Sequence, residues 1–543
     1  MLLAACGGSG STPSTTAAAA QPAAETTAAP ETSLAAEAKL AETAPPTEED
    51  INSLPDPAMG ADTITFIQNL DPGTFQPGTD DEQGHARLNA LIYDSLFRYS
   101  KDKVLEGALC ESWEWDDDTH LRMHIRQGVK FSDGSDFTGE DVVWTIKYSY
   151  EAALPNFHFF IIDPEDIVLE DEYTVILGLK YPCGTMPNHL ASPECGIACK
   201  KAFEEHDGNY LDPACAVGTG PYKLVSYEPG DRIVLTANEY SWREGTPKMK
   251  DCVIRIMSSY ESIATEAKTR VYDVLVDANP REFDQIDAME GVHVSYGQTA
   301  KTEYLLLNCQ KAPMDNPKVR EAFARAIDVT ACVKLAYGSS GNPAQAFIVP
   351  GIMGYNVDTY KKYYGAGHDI EAAKALLAEA GYPNGLDLEI SVISNNLQHC
   401  DMAEAMQAQV AEAGINLSIN KLESAPLREY IDGGNHHMCI NAYTCQTMEA
   451  DGFLSQIQPG TATLKRVGYE RQEFFDLYEK GCGTFDEAER TQIWEDTLEM
   501  LMEDYALVPL NHKMLGAVVR DDIEGFWWAP DYEEVYLYEM ERK

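Results

Sequence analysis

The chain has 543 residues, with 41 Lys and Arg against 88 Asp and Glu, which gives a formal net charge of −47. At roughly 150 residues per domain, this length is enough for at least two sizeable hydrophobic cores. So acidic a field repels phosphate backbones and anionic lipid headgroups, which excludes nucleic acid as a partner. Because 44% of the residues are hydrophobic, most of the chain is expected to fold. The sequence contains no apolar run of about 18 residues, so we predict no membrane-spanning helix.

The first 58 residues are predicted to anchor and tether the folded part. LAACGG, from Leu3 to Gly8, resembles the end of a bacterial lipoprotein signal, in which the cysteine, here Cys6, carries acyl chains. We interpret residues 1–58 as a signal remnant followed by a disordered tether, because residues 7–58 are mostly Ala, Thr, Ser, Pro and Glu. The expected location is the outer face of the cell membrane. The alternative is an Ala-rich start with an idle cysteine.

The other cysteines leave their chemistry open. Thirteen cysteines minus Cys6 leaves twelve, an even number that permits disulfides without requiring them. Four of them lie between Cys183 and Cys215, and Cys195-x3-Cys199 is a weak zinc pattern that lacks a second pair. Disulfides and free thiols stay as alternatives ahead of a metal site. No metal or cofactor is predicted.

Strand and helix patterns alternate along the rest of the chain. In chain order we predict a strand at 63–67, a turn at 70–73, a helix at 87–99, a hairpin of 113–115 and 121–125, a turn at 133–134, a helix from Thr138, strands at 222–227, 232–236 and 304–307, and helices at 316–328 and 370–380. Thr138 with Asp141 forms a capping box, and Gly381 suits a helix C-terminus. This interleaving predicts an α/β fold.

Six segments carry a family resemblance. They are IYDSLFRY from Ile92, SWEW from Ser112, IRQGVKFSDG from Ile125 with TGEDV from Thr138, GTGPY from Gly218, VREAF from Val319 with AID from Ala326, and AKALLAEAGYP from Ala373. In this order they resemble the family 5 extracytoplasmic solute-binding proteins of bacterial ABC importers, the group that includes oligopeptide-, dipeptide- and nickel-binding proteins. The resemblance extends over about residues 62–520.

The resemblance implies an α/β, two-lobed, periplasmic-binding-protein-like fold of type II, in the large cluster with an extra subdomain. Mapped onto this sequence, lobe I is 59–303 with an inserted subdomain at about 97–214, lobe II is 304–505, and 506–543 returns to lobe I. It also implies a peptide or other small solute held between hinged lobes, delivery to ABC permease subunits, a monomer and no enzymatic activity.

The resemblance also points to a cleft. In the oligopeptide branch a stretch similar to Trp-x-x-Asp-Tyr-x-x-Pro-x-x-Phe-Leu lines the ligand, and its Asp accepts the peptide α-ammonium. Aligned on Phe453-Leu454, this chain reads YTCQTMEADGFL, so Tyr443 and Thr444 are expected to line the cleft, and Gln446 stands in place of the Asp. A neutral amide does not balance a buried cation. Glu449 or Asp451 is the alternative acid, unless both are surface charges.

A second predicted contact follows the first strand. Gln76, Pro77 and Gly78 stand where the family pairs its backbone with an extended ligand, although Pro77 offers no backbone N–H. This departure, like Gln446, argues against a standard peptide mode.

The sequence also bears on three other functions: oligosaccharide binding, hydrolysis and phosphate binding. An oligosaccharide on the same scaffold would stack on Tyr443, Trp527 or Trp528, although such aromatics more often belong to a core. A surface hydrolase is disfavoured, because neither His-Glu-x-x-His nor Gly-x-Ser-x-Gly occurs. Gly218-Thr219-Gly220 lacks the Gly-Lys-Ser/Thr of a phosphate loop, and His436-His437 is interpreted as a solvated loop.

Overall fold

The structure is a computed structural model that describes residues 62–79, 83–154, 156–269, 271–365, 367–445, 447–529 and 535–543. Cys6, the predicted tether and Gln446 lie outside the described residues.

Strands and helices alternate, as the sequence predicts. The strands are β1 (Thr63–Gln68), β2 (Phe97–Tyr99), β3 (Leu105–Gly107), β4 (Cys110–Asp117), β5 (His120–Ile125), β6 (Ile162–Asp171), β7 (Thr174–Leu179), β8 (Tyr222–Glu228), β9 (Arg232–Ala237), β10 (Asp251–Ile256), β11 (Val274–Leu275), β12 (Val292–Leu307), β13 (Leu386–Ile393), β14 (Ile415–Leu422), β15 (Met438–Thr444), β16 (Leu507–Arg520), β17 (Ile523–Glu524) and β18 (Glu541–Arg542).

The α-helices are α1 (Gln83–Ile92), α2 (Gly139–Glu151), α3 (Met186–His189), α4 (Lys200–Glu205), α5 (Tyr260–Glu266), α6 (Phe283–Asp287), α7 (Pro317–Ala326), α8 (Val329–Tyr337), α9 (Val357–Tyr364), α10 (Ile370–Glu379), α11 (Leu397–Val410), α12 (Ser424–Asp432), α13 (Ala450–Leu454), α14 (Ala462–Val467), α15 (Gln472–Cys482) and α16 (Glu487–Glu503). Short 3₁₀ turns lie at Phe157–Ile161, Pro193–Cys195, Pro280–Glu282, Gly338–Ser340, Ala411–Ala413, Ser455–Ile457 and Leu537–Glu539.

One ten-stranded mixed sheet has the order β14-β13-β15-β12-β16-β11-β1-β10-β9-β8. Its two central strands, β12 and β16, are long and antiparallel, and their register shifts between Gln298 and Thr302 and again between Glu303 and Tyr304. On one side of these shifts β16 pairs with β11, and on the other side β12 pairs with β15. The sheet therefore has two halves that are joined through β12 and β16.

A separate four-stranded antiparallel sheet, β4-β5-β7-β6, belongs to the predicted insert. Its inward side chains, among them Leu121 and Val175, share one buried core with Phe453, Trp494 and Leu501. The insert therefore packs without a break against the helices of residues 450–503.

Most of the local predictions are confirmed. β1, the β4–β5 and β8–β9 hairpins and the α7 and α10 helices lie where the patterns place them. The Thr138 side chain accepts the Glu140 N–H, the Asp141 carboxylate accepts the Thr138 N–H, and α2 begins at the next residue. Gly381, just after α10, has a φ of 96°, which glycine adopts without strain.

The predicted helix at 87–99 is wrong in its second half. α1 ends at Ile92, whose carbonyl accepts the Gly220 N–H, and Phe97–Tyr99 forms a strand paired with Leu105–Gly107. A Cβ at Gly218 would lie 2.0 Å from the Ile92 oxygen, so this glycine serves close packing at the helix end. The prediction relied on apolar residues along one face of a helix. This segment is instead buried on all sides, at Tyr93, Asp94, Leu96 and Phe97.

His436 is a second correction. It was expected in a solvated loop, but its side chain is completely buried, and burial lowers its pKa to about 4. The neighbouring His437 is partly exposed, and its Nδ1 contacts the Glu389 N–H at 3.1 Å. The pair therefore belongs to the packing around β13 and β15.

Candidate functional site

The predicted cleft residues lie beyond the carboxyl ends of two strands. Gln76, Pro77 and Gly78 follow β1, and Tyr443 and Thr444 end β15 beside the register shift of β12, where Thr444 pairs with Lys301. In open α/β sheets, ligands bind in the crevice outside the carboxyl ends of the strands. The first segment thus follows a strand of one half of the sheet, and the second ends a strand of the other half.

The Gln76–Gly78 segment packs against the insert. Gly78 has a φ of 78°, and a Cβ there would lie 3.4 Å from Asn156 Nδ2 and 3.5 Å from the Glu194 carbonyl oxygen. The Gln76 Nε2 group is buried and has no hydrogen-bond partner among the described residues. Together with Glu194 and Asn156 the segment borders a small crevice.

Glu194 is the acid of this crevice, and the sequence analysis missed it. Its side chain is 3% exposed. Its position is fixed by the Pro193–Cys195 turn, in which Ser192 Oγ accepts the Glu194 N–H at 3.1 Å, while Asn156 Nδ2 donates to the Glu194 carbonyl at 2.9 Å. An acid inside a Ser-Pro-Glu-Cys turn has no distinctive sequence pattern, so only the fold places it beside Gln76.

Tyr443, near the end of β15, is a partly exposed cleft candidate whose polar end is buried. Its hydroxyl oxygen is buried and has no hydrogen-bond partner among the described residues. Burial raises the pKa of Tyr443, and the charges of Cys445 and Glu194 raise it further. The Tyr443 ring meets Phe453 edge to face at 6.5 Å between centroids. Glu194 therefore borders the Gln76–Gly78 segment, and its charge also contributes to the raised pKa of Tyr443.

Glu449 and Asp451, the two acids suggested in place of the missing Asp, already have protein partners. The Glu449 carboxylate accepts two hydrogen bonds from Arg490, each 2.8 Å long, and one from Trp494 Nε1 at 3.2 Å. The Asp451 carboxylate accepts hydrogen bonds from Thr185 and Thr447. Both acids are almost fully buried, so neither is a surface charge, and both support the junction between the insert and α13–α16.

Two buried histidines connect the crevice with that junction. His158 Nδ1 and His189 Nδ1 are 3.0 Å apart, His158 Nε2 lies 3.9 Å from Glu194, and His189 Nε2 lies 3.5 Å from Asp451. Burial lowers the pKa of His158 well below its usual value, which keeps that ring neutral. Burial opposes charge on His189 as well, but Asp451 and Cys183 raise its pKa to about 10. A charged His189 therefore donates to a neutral His158.

The remaining sequence candidates fall outside the cleft geometry. Trp527 and Trp528 pack with Tyr536 and Phe526 in the C-terminal segment, and their indole N–H groups donate to Glu539 and to the Ser295 carbonyl. The twelve cysteines from Cys110 to Cys482 are free thiols.

Neither a metal-binding cluster nor a membrane-spanning helix is found in the described ranges. Nowhere in them do three or more His, Cys, Asp or Glu side chains gather in a geometry that would hold a metal ion. None of the helices in those ranges is both long and apolar enough to cross a bilayer.

Comparison with known families assigns the chain. The profile of "Bacterial extracellular solute-binding proteins, family 5 Middle" matches residues 104–464, which is more than half of the sequence. The chain belongs to this family. Family 5 proteins are the solute-binding components of ABC importers and act outside the cytoplasm, so this family 5 protein binds a solute and is not an enzyme.

Individual relatives agree with this assignment. The glutathione-binding protein GsiB of Escherichia coli (strain K12) is 27% identical over 494 residues, which cover 87% of this chain and 93% of the relative. The dipeptide-binding protein of Pseudoalteromonas sp. SM9913, solved with Met-Leu, is 22% identical with a TM-score of 0.73, over 89% of this chain and 100% of that one. NikA of Brucella suis, solved with Fe(III)-EDTA, is 19% identical with a TM-score of 0.78, over 89% of this chain and 100% of NikA. These structures confirm the two-lobed fold.

Proposed function

We propose that this family 5 protein is a lipid-anchored receptor that captures peptides between two hinged lobes and delivers them to an ABC permease. Lobe I comprises 59–303 and 506–543 with the insert at about 97–214, and lobe II comprises 304–505. The joining of the two half-sheets through β12 and β16 supports this division, because two strands with shifted registers are a natural hinge.

The buried Glu194 carboxylate is the observation that carries the peptide assignment. It borders the same crevice as Gln76, Pro77 and Gly78, and its charge helps to raise the pKa of Tyr443. In this proposal Glu194 accepts the α-ammonium of the ligand, which Gln446 cannot balance. A cation and a carboxylate attract strongly in a water-poor cleft.

Neutral polar groups complete the site. The Gln76 amide and the Tyr443 hydroxyl, both buried and lacking protein partners among the described residues, are suited to hydrogen-bond the peptide backbone. The Gly78 backbone allows close approach of an extended ligand. The relatives named for glutathione and dipeptide binding take ligands that share a free amino group, which agrees with an acidic recognition point.

Affinity measurements with peptides test this role of Glu194. We expect the full chain to bind peptides from a tripeptide-to-octapeptide pool, glutathione or dipeptides in a thermal-shift screen, since a ligand at about 100 times its Kd adds roughly 2.7 kcal/mol. In calorimetry, N-acetylation of a hit and the Glu194→Gln substitution should each weaken binding roughly tenfold or more.

Glu140→Gln is the matched control, because Glu140 is an exposed acid of the insert that pairs with Lys200 at 2.6 Å. That variant should bind like the unmodified protein. Equal affinity for acetylated and free peptides, or full affinity in Glu194→Gln, would rule out Glu194 as the ammonium acceptor.

The anchor is tested separately from the ligand. We expect the full chain, made in a bacterial host behind a lipoprotein signal, to incorporate a labelled fatty acid and to sediment with membranes. Cys6→Ser should abolish both properties, whereas Cys309→Ser should change neither. A labelled Cys6→Ser protein would contradict lipidation at this residue. We further expect a monomer in sedimentation analysis.

A further inference from the structure

A second cavity lies at the joining strands and is separate from the Glu194 crevice. Its volume is about 470 Å³, within the roughly 300–1,000 Å³ that is typical of small-molecule sites. Its walls come from the segments after β1, β11 and β13 and from the part of β16 near the register shift. The carboxyl ends of three strands thus meet at this cavity, which is where open α/β sheets bind ligands.

The cavity faces the opposite side of the sheet from Tyr443. Thr302 pairs with Tyr443 and Glu303 pairs with Ala442, so the two pairs present their side chains to opposite faces. Glu303 lines the cavity, whereas the Tyr443 side belongs to the core shared with the insert. A solute in this cavity would not occupy the proposed peptide site.

The acidic groups in the cavity wall are already balanced by protein groups. Asp277 pairs with Arg87 at 3.2 Å and accepts the Asn69 N–H at 3.1 Å. The Glu303 carboxylate accepts hydrogen bonds from Tyr337 at 2.6 Å and from Asn511 at 3.0 Å. These carboxylates therefore do not call for a cationic solute.

Side-chain amides supply most of the remaining polar wall. Asn69 and Asn279 come from one half-sheet, and Asn395 and Gln398 come from the other. The Asn69 Oδ1 atom is buried and has no hydrogen-bond partner in the described ranges. An amide offers both donors and an acceptor, which matches the hydroxyl group, itself both donor and acceptor. Leu397, which is 53% exposed, adds an apolar surface at the wall, and Lys513 adds a basic group.

We infer that this cavity is a binding site for a small polyhydroxylated solute of the mono- or disaccharide class. The amides of Asn69 and Gln398 hydrogen-bond its hydroxyl groups from opposite walls, and its apolar ring face packs on Leu397. Because the walls belong to both half-sheets, the bound solute holds the two halves in the observed arrangement.

Titration of the full chain with a panel of monosaccharides and disaccharides tests the inference. Calorimetry or ligand-observed NMR should detect saturable binding at millimolar concentration or below. Asn69→Leu and Gln398→Leu should each weaken it roughly tenfold. Gln492→Leu, the same chemical change at an exposed position of α16, should leave it unchanged. Gln398 is partly exposed at the start of α11, so its replacement keeps the fold intact even if Asn69→Leu does not.

Two results would overturn the inference. One is the absence of binding by every sugar of the panel, and the other is sugar binding that Gln398→Leu leaves unchanged. Peptide binding distinguishes this site from the Glu194 site. Glu194→Gln should leave sugar affinity unaltered, and Gln398→Leu should leave peptide affinity unaltered, so either proposal can fail without the other.

Discussion

Glu449 and Arg490 form a bidentate ion pair, in which Oε2–Nε and Oε1–Nη2 are both 2.8 Å apart, inside the core shared by the insert and α13–α16. Less than a tenth of either side chain is exposed. Two charges so deeply buried stabilise a fold only together, because each alone carries a large desolvation cost.

Removing one member of this pair should therefore destabilise the folded protein strongly. We expect Arg490→Leu to lower the free energy of unfolding by about 3–5 kcal/mol, because it leaves Glu449 as an uncompensated buried charge. The double variant Arg490→Leu with Glu449→Gln should lose much less than the sum of the single changes. Urea unfolding measures all three variants. Arg122→Leu, in the exposed pairs with Asp116 and Glu170, serves as the control and should cost at most about 1 kcal/mol.

His189 should make stability depend on alkaline pH. Its pKa is about 10 in the folded protein and about 6.5 when unfolded. A group whose pKa is higher in the folded protein contributes its full stabilisation at pH values below its pKa in the unfolded chain. This contribution is lost as the pH rises from about 6.5 through 10. We expect the stability advantage of the unmodified protein over His189→Gln to shrink across this window.

The control for His189 is His120, which lies near Asp117 and Asp166 but is about one-third exposed. The free energy of unfolding of His189→Gln and of the control His120→Gln is measured by chemical denaturation at pH 6, 8 and 10. A difference between the unmodified protein and His189→Gln that stays constant over this range would contradict a charged His189.

Glu303 should make stability depend on acidic pH. Burial disfavours its charge, but His399, Tyr337 and Asn511 hold its pKa at about 2, against about 4.3 when unfolded. A group whose pKa is lower in the folded protein contributes its full stabilisation at pH values above its pKa in the unfolded chain. This contribution is lost as the pH falls from about 4.3 through 2. Two pKa units correspond to about 3 kcal/mol at most.

Glu303→Gln should therefore reduce the loss of stability between pH 5 and pH 3, as measured by urea unfolding. Glu379→Gln is the control, since Glu379 is an exposed acid paired with Lys318 at 2.8 Å. An acid dependence that is the same in Glu303→Gln and in the unmodified protein would show that Glu303 does not carry this charge.

Gly481 should tolerate no side chain. A Cβ at this position of α15 would lie 2.3 Å from the Trp494 ring, within a packed core. We expect Gly481→Ala to cost about 2 kcal/mol through overpacking. Gly483→Ala is the control, because its nearest neighbours would be 3.6 Å away and its φ is −82°. Thermal unfolding of both variants checks this, and equal melting temperatures would contradict the packing argument.

Helices and strands whose ends are marked by capping or turn residues were predicted correctly from the sequence. The Thr138–Asp141 capping box, the helix predicted from 316 and the strands of the β4–β5 and β8–β9 hairpins all lie where the residues indicate, because each depends on neighbours in the chain. The helix predicted at 87–99 failed after Ile92 because its end is decided by Gly218 and Gly220, more than a hundred residues away.

The sequence by itself determined the α/β alternation and the family, since these follow from periodicity and ordered motifs, and its net charge predicts no nucleic-acid partner. The tertiary structure decided the chemistry of the cleft. It paired Glu449 with Arg490 and Asp451 with threonines, and it brought Glu194 beside Gln76. Where each buried acid lies, and which groups surround it, depends on contacts between distant segments, and no local pattern encodes them.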